Sequence, residues 1–346
     1  MLNNQDFAQS APKSPVKRRL ELVGNANQGA EESSPSSDLN RAAKLLQETI
    51  IKIEGAYAPS TIRAYRADFN DFIHFCNERN AKALPAQPHL VVQYIAGLTG
   101  TGRSSASIRR ALCGLSAIHR LNRFEDPAKD PDVTLEMRRM HRKLGRSSKQ
   151  AAGINAETLE KLLLATEDSI RGIRDRALLL VAYDTLCRRS ELVSLRVNDI
   201  KIIAKNGIET SSILLRRSKT DQDSKGKWLH LSQRAHQALM EWMKEIHEGQ
   251  EMLFCGLNRA LDFSAHIGAG QINRIYKRIA RKAGLNESEI KGISGHSMRV
   301  GAAQDLLNSG ASMPIIMQRG RWSKTDTVMR YLEHGNAQFD TPFRKI

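Results

Sequence analysis

The chain has 346 residues, enough for two domains, and sets 53 Lys and Arg against 37 Asp and Glu, a formal net charge of +16. A chain this basic is expected to meet a polyanion, with nucleic acid the commonest one. No run approaches the roughly 18 apolar residues a membrane span needs, the opening MLNNQDFAQSAPKSP lacks the apolar stretch of a secretion signal, and Cys76, Cys113, Cys187 and Cys255 form no paired spacing. The expectation is a cytoplasmic protein with buried free thiols, no metal, no cofactor and no membrane partner.

Residues 1–38 are rich in Ser, Pro, Asn, Gln and Glu without a hydrophobic period, which predicts a disordered tail holding the basic cluster Lys17, Arg18 and Arg19. The stretch 39–144 reads as helical throughout. Pro59-Ser60 starts a helix in which Ile62, Tyr65, Phe69, Phe72 and Ile73 recur at helical spacing, with Arg63 and Arg66 off that stripe. A short buried helix over 89–98 is closed by Gly100-Thr101-Gly102. Ile108, Leu112, Leu115 and Ile118 form the next stripe beside Arg109, Arg110 and Arg120, and a last helix carries Arg138, Arg139, Arg142 and Lys143. The segment 145–153, GRSSKQAAG, has no core pattern and predicts a linker.

A second domain, 154–335, is expected to open with Asn155 as a helix N-cap ahead of Leu159, Leu162 and Leu163. An apolar helix spans 175–186. The stretches 212–215 and 227–231 read as two strands of a hairpin around the polar loop RSKTDQDSKG. The helix over 268–283 puts Ile272, Ile275 and Ile279 on one face, with Gln271, Arg274, Lys277, Arg278, Arg281 and Lys282 largely elsewhere.

Four stretches of this second domain carry chemistry. Arg188 lies in LCRRSEL with Glu191 three residues on; Lys219 stands in RSKT; His296 and Arg299 form H-x-x-R in SGHSMRVGAA; and Trp322 ends GRW nine residues before Tyr331 in VMRYLEH. Taken singly, each has an ordinary reading. H-x-x-R is usually a surface pair on a helix, Arg188 with Glu191 a local salt bridge, a loop lysine simply solvated, and Trp and Tyr core residues. Together they supply the parts of one reaction, strand cleavage by transesterification. It needs a nucleophile, an acid for the leaving oxygen, and cationic donors for the phosphate. No carboxylate cluster offers the metal ions that nucleases use for that last task, whereas two arginines can each fork onto a pair of phosphate oxygens.

The order Arg, Lys, H-x-x-R, Trp, Tyr resembles the tyrosine site-specific recombinases and the related type IB topoisomerases. The stretches SGHSMRVGAAQDLL, MPIIMQRGRW and VMRYL are similar to the recombinases in particular, as are ALPAQPHLVVQYI and MRRMHRK in the first domain. Trp322 stands where most of that family has a second His. The resemblance spans about residues 39–331, with all six catalytic-type positions filled.

It implies a mainly α protein: an all-helical N-terminal core-binding domain, then an α+β catalytic domain with a small antiparallel sheet, together a C-shaped clamp on DNA. It implies that Tyr331 attacks the scissile phosphate, that Arg188 and Arg299 hold its non-bridging oxygens, and that His296 handles the tyrosine proton. Lys219 would protonate the leaving 5′ oxygen, Trp322 donate its indole N–H, and Glu191 orient His296 or an arginine. DNA contacts are expected from Arg63, Arg66, Arg109, Arg110, Arg138, Arg139, Gln271, Arg274, Lys277 and Arg278. The implied partner is double-stranded DNA with a specific target site, bound at the nucleoid by a homotetramer on two synapsed sites, with the tail 336–346 a candidate for docking on a neighbouring protomer. A topoisomerase that only relaxes DNA, and a DNA-binding protein without chemistry, are the competing readings; the filled catalytic set argues against the second. Arg189 departs from the pattern, an extra cation beside the first arginine.

Overall fold

Residues 35–146, 150–218, 226–258 and 262–332 are described by the computed structural model. The chain divides into two compact units, 1–148 and 149–346, each with its own core.

The first unit is helical: α1 Pro35–Lys52, α2 Pro59–Asn77, α3 Pro88–Gly100, α4 Ser105–Leu121 and α5 Pro131–Leu144. Helix α1 thus begins at Pro35, inside the stretch expected to be tail, because Ala42, Leu46 and Ile50 recur on one face and are all buried. Helices α2, α3 and α5 open on prolines, whose missing N–H is harmless in a first turn that has no intrahelical acceptor. Helix α4 is capped by Ser104, whose Oγ accepts from the Ser107 N–H at 3.2 Å. Phe69, Phe72 and Ile73 of α2 meet Val91, Tyr94 and Ile95 of α3 and Ile108, Leu115 and Ile118 of α4. Phe72 and Tyr94 pack edge to face with centroids 5.1 Å apart. His119, fully buried, accepts from the Ala86 N–H at Nε2 (3.0 Å), so its proton sits on Nδ1 and is donated to the Leu115 carbonyl at 2.8 Å. Cys76, Cys187 and Cys255 are buried thiols; Cys113 is exposed, against expectation, since it lies off the buried face of α4.

In the second unit α6 Ala156–Leu164 starts at Asn155, whose Oδ1 accepts from the Thr158 N–H at 2.9 Å. Helix α7 Ile170–Thr185 begins five residues before the apolar run, on the Ser169 cap. Its extra turn hides Arg174 against Asp175 at 2.6 Å, and residues 177–182 are buried on all sides. After α8 Arg189–Leu192 comes a three-stranded antiparallel sheet, β1 Ile200–Lys205, β2 Ile208–Leu215 and β3 Lys227–His230, in that order. Strand β1 was not foreseen. Its signal was Asn206-Gly207 between two β-branched runs: both residues take positive φ (51° and 76°), the geometry of a two-residue hairpin turn that closes Lys205 on Ile208. The helices α9 Gln233–Glu245, α10 Ala269–Lys282, α11 Glu287–Gly292, α12 Ser297–Asn308, α13 Met313–Gly320 and α14 Thr325–Leu332 complete the unit. Helix α7 packs on α9 and α12, and Trp242 of α9 lies wholly buried with its Nε1–H on the Leu253 carbonyl at 2.8 Å. No described helix is long and apolar enough to cross a membrane. The expected tail 336–346 and the cluster at Lys17–Arg19 lie outside the described residues.

Candidate active site

The site grows from the end of α7. There Leu186 turns into the left-handed region (φ 50°, ψ 31°), at a cost of about 1–2 kcal/mol for a residue with a side chain. Burial of the Leu186 side chain with Ile316, Trp322 and Val328 offsets that cost. The turn aims the Leu186 carbonyl inward, where it accepts from Arg299 Nη1 at 2.5 Å and from Arg321 Nη2 at 3.3 Å. Two residues on, Arg188 is the N-cap of α8, and Glu191 closes back on it: Oε2 accepts the Arg188 N–H at 2.9 Å and Oε1 accepts Nη1 at 2.6 Å. Glu191 is buried. Burial by itself would push its carboxyl up, but Arg321, then the backbone and guanidinium of Arg188, outweigh it and hold the group below the ordinary carboxylate range.

H-x-x-R is not a surface pair. His296 is the exposed N-cap of α12, while Arg299, one turn in, is 1% exposed. Arg299 is held by the carbonyls of Leu186 and Gly320, and its guanidinium carbon lies 4.1 Å above the Trp322 ring. Burial, then the charges of Arg188 and Arg321, bring its pKa down to about 10. Loss of hydration, then Arg189, Arg299 and Arg188, lower that of His296. The Arg189 side chain is itself exposed and lies across Gly295, its Cδ 2.7 Å from where a Cβ would stand, so this extra cation sits beside His296 on the solvent side.

Helix α13 ends in Gly320, and Arg321 again takes the left-handed conformation (φ 56°, ψ 46°), which swings Trp322 back under the helix. Tyr331, half-buried on α14, packs its ring against Trp322, tilted by 42° with centroids 5.6 Å apart. Its backbone carbonyl accepts from Gln304 (3.0 Å) and Gln150 (3.2 Å). Arg188, Glu191, His296, Arg299, Trp322 and Tyr331 are therefore brought together from stretches up to 143 residues apart. Lys219 lies outside the described residues. Glu191 orients Arg188 rather than His296. Arg321, which the motif reading passed over as part of GRW, is a full member of the cluster: its Nη2 donates to Glu191 Oε2 at 2.8 Å. The signal was a long cation at a helix end where glycine is usual. Among the described residues no group of three or more His, Cys, Asp and Glu side chains gathers as a metal site requires.

Residues 153–338 match the model of the phage integrase family, and residues 45–125 match that of the phage integrase N-terminal SAM-like domain. The chain belongs to the phage integrase family. It is a tyrosine recombinase by that membership. Its curated relatives include an integrase/recombinase xerD homolog of Selenomonas ruminantium, 28% identical over 308 residues, covering 85% of this chain and 87% of the relative. Another is the recombinase cre of Escherichia phage P1, 28% identical over 280 residues, covering 76% and 81%. Among solved structures, the XerH site-specific recombinase bound to its difH substrate in a pre-cleavage complex superposes with a TM-score of 0.60 at 18% identity, covering 86% of this chain and 84% of that one. A lambda integrase dimer bound to a core site gives 0.58 at 15% identity, covering 88% and 97%. These two share the fold.

The recombinase presents its expected DNA-contacting residues unevenly. Arg63 and Arg66 on α2, Arg109 on α4, Arg138 on α5, and Gln271 and Arg274 on α10 are exposed. Three others are engaged within the protein. Arg110 forks onto Asp68 at 2.7 and 2.9 Å, Arg139 pairs with Glu136 at 3.0 Å, and Arg278 is drawn to the buried carboxylate of Asp175. Arg278 thus joins Arg174 on a buried carboxylate, a role invisible in a count of basic residues. Lys277 is half-buried on the same helix.

Proposed function

We propose that this recombinase cuts and rejoins DNA at a specific target site through Tyr331, by way of a 3′-phosphotyrosine and a Holliday junction. The Tyr331 oxygen forms a bond to the scissile phosphorus as the bond to the 5′ oxygen breaks, leaving a free 5′-OH. The covalent phosphodiester conserves bond energy, so resealing is the same exchange reversed and needs neither nucleotide nor ligase. Arg188 and Arg299 take the non-bridging oxygens; each preorganised donor of this kind contributes about 3 kcal/mol to the transition state. His296, kept neutral by its surroundings, accepts the tyrosine proton. Lys219 protonates the leaving oxygen, and Trp322 holds Arg299 and offers its indole N–H.

The single observation that carries the reading is Arg299 packed over the Trp322 ring with Tyr331 against the same indole, and Arg188 held by Glu191. It supports a phenol close to a fixed guanidinium. In this reading 39–144 is the core-binding domain, 145–153 the linker and 154–335 the catalytic domain. Four protomers on two synapsed sites exchange strands in two steps, at the nucleoid, with the tail 336–346 docking on a neighbour. Exposed Arg66 and Arg138 hold the phosphate backbone, and bases are read by the first-unit helices near Arg63 and over 104–110 and by the helix carrying Gln271 and Arg274.

The test is to trap the protein covalently on fragmented DNA, sequence what is bound, and repeat with Tyr331→Phe. The recovered sequence is expected to be one site, joined through its 3′ end, and the variant is expected to bind it without an adduct. An undiminished adduct in the variant overturns the assignment. Two-site DNA should give deletions or inversions; relaxed circles alone would favour the topoisomerase chemistry.

A further inference from the structure

We propose that Arg321 is a positioning residue of this site, a fixed charge that keeps Glu191 ionised and thereby holds the guanidinium of Arg188 in place. The inference rests on the reading above for what Arg188 does.

Three observations carry it. The first is conformational. Arg321 occupies the left-handed position that ends α13 (φ 56°), where glycine is free of strain and a long side chain is not. The second is burial. The Arg321 side chain is 6% exposed, and its Nε finds no hydrogen-bond partner among the described residues. A surface cation would have neither feature. The third is what the guanidinium holds. Nη2 donates to Glu191 Oε2 at 2.8 Å, Nη1 to the Thr185 carbonyl at 2.9 Å, and Nη2 reaches the Leu186 carbonyl at 3.3 Å. One side chain therefore ties the end of α13 to the end of α7 and to α8. The Leu186 carbonyl it touches is the one that also locks Arg299.

The consequence follows from the hydrogen-bond inventory of Glu191. Its Oε1 takes the Arg188 guanidinium, and its Oε2 takes the Arg188 N–H and Arg321. The charged and titratable groups facing it are Arg188 and Cys187 ahead of α8, Arg321 after α13, and His296 and Arg299 of α12. Among them Arg321 is the strongest influence favouring the ionised form. Without it, a carboxyl buried on one flexible guanidinium and one backbone N–H gains from protonation. A neutral Glu191 loses its charge-assisted grip on Arg188, which is then free to leave the phosphate position.

A strut made only of hydrogen bonds would fail differently, and the two are separable. Arg321→Gly relieves the backbone strain and removes the charge; Arg321→Lys keeps the charge. The first arm needs no DNA: thermal melting of the full chain against pH. In the wild type the Glu191 carboxyl lies below its ordinary range, so the stability this pair contributes is present above the unfolded pKa and lost as pH falls through the folded one. Arg321→Gly is expected to show a melting deficit that grows as pH rises from about 5 to about 8, because the stranded carboxylate is then charged. Adding Glu191→Gln should abolish that growth. The second arm measures adduct formation on a nicked duplex carrying the sequence recovered by covalent trapping. Arg321→Gly should slow it at neutral pH by about tenfold or more with DNA binding unchanged, and Arg321→Lys should stay within about threefold of wild type.

A glycine deficit equal at every pH, with cleavage as fast as wild type, overturns the proposal. So does a lysine variant as impaired as glycine in both arms, which would leave Arg321 a strut. If wild type itself forms no adduct, the functional reading has failed, and the pH-dependent melting still decides the bond between Arg321 and Glu191.

Discussion

Gly320→Ala is the sharpest probe of the packing that sets Arg299. A Cβ at this position would stand 1.8 Å from Trp322 Cζ3, 2.0 Å from Cε3 and 2.4 Å from Cη2. Carbon–carbon contact is comfortable at about 3.5 Å, so the indole must retreat by about 1.7 Å or the end of α13 must shift. Helix propensity favours the alanine by about 1 kcal/mol. Overpacking a filled site costs about 1–3 kcal/mol, and three ring carbons this close put the clash at the upper end of that range. A net loss of about 2 kcal/mol lowers Tm by about 4–8 °C in a unit of this size.

The effect on chemistry is larger, because Arg299 stacks on that ring and donates to the carbonyl of Gly320 itself. Displacing a positioned donor by about 1 Å costs about a hundredfold in rate. Single-turnover formation of the Tyr331 adduct, measured beside equilibrium DNA binding, is the assay. The expected outcome is near-normal binding with cleavage slowed by one to two orders of magnitude, about 10- to 100-fold. A variant that cleaves within about twofold of wild type would refute the claim that the Trp322 ring sets Arg299.

Cleavage by the wild type is expected to survive EDTA, since the cationic donors here are side chains; loss on chelation with recovery in magnesium would contradict this. DNA binding should weaken steeply with salt, with a log–log slope of several counterions, and each of Arg66→Ala and Arg138→Ala should reduce that slope by about one. Lys219→Ala should cleave ordinary DNA very slowly and recover most of its rate when the bridging 5′ oxygen is replaced by sulfur, a leaving group that hardly needs a proton; Arg188→Ala should not recover. His119, buried and pushed below the ordinary imidazole pKa by that burial, is neutral in the fold. Its contribution is therefore complete above about pH 6.5 and lost as pH falls toward the lower folded pKa. Hydrogen exchange at the Ala86 amide, which bonds to it, should accelerate over that range, and a His119→Gln variant should flatten the dependence.

Much of this protein was legible in the amino-acid order because its signals are local. The periods of α2, α4 and α10, the Asn155 cap, and the helical first unit ahead of a unit with a small sheet all follow from neighbours within a few turns. The nine-residue step from Trp322 to Tyr331 is likewise local, set by one loop and two turns of α14. Strand β1 was legible too, in Asn206-Gly207 between two β-branched runs.

What the linear order could not decide is which partner each charge takes. Arg278 and Arg274 stand on one helix at one turn's spacing, yet one bonds Asp175, 103 residues away, beside Arg174, and the other stays exposed. Arg299 and Arg321 read as two more cations in a basic chain. Only the folded end of α7, with Leu186 forced left-handed, gives both the same carbonyl and sets Glu191 between Arg321 and Arg188. Hydrophobic period is a property of adjacent residues and survives in the sequence. The balance of a buried charge is a sum over everything within a few ångströms, and that set exists only once the chain has closed around it.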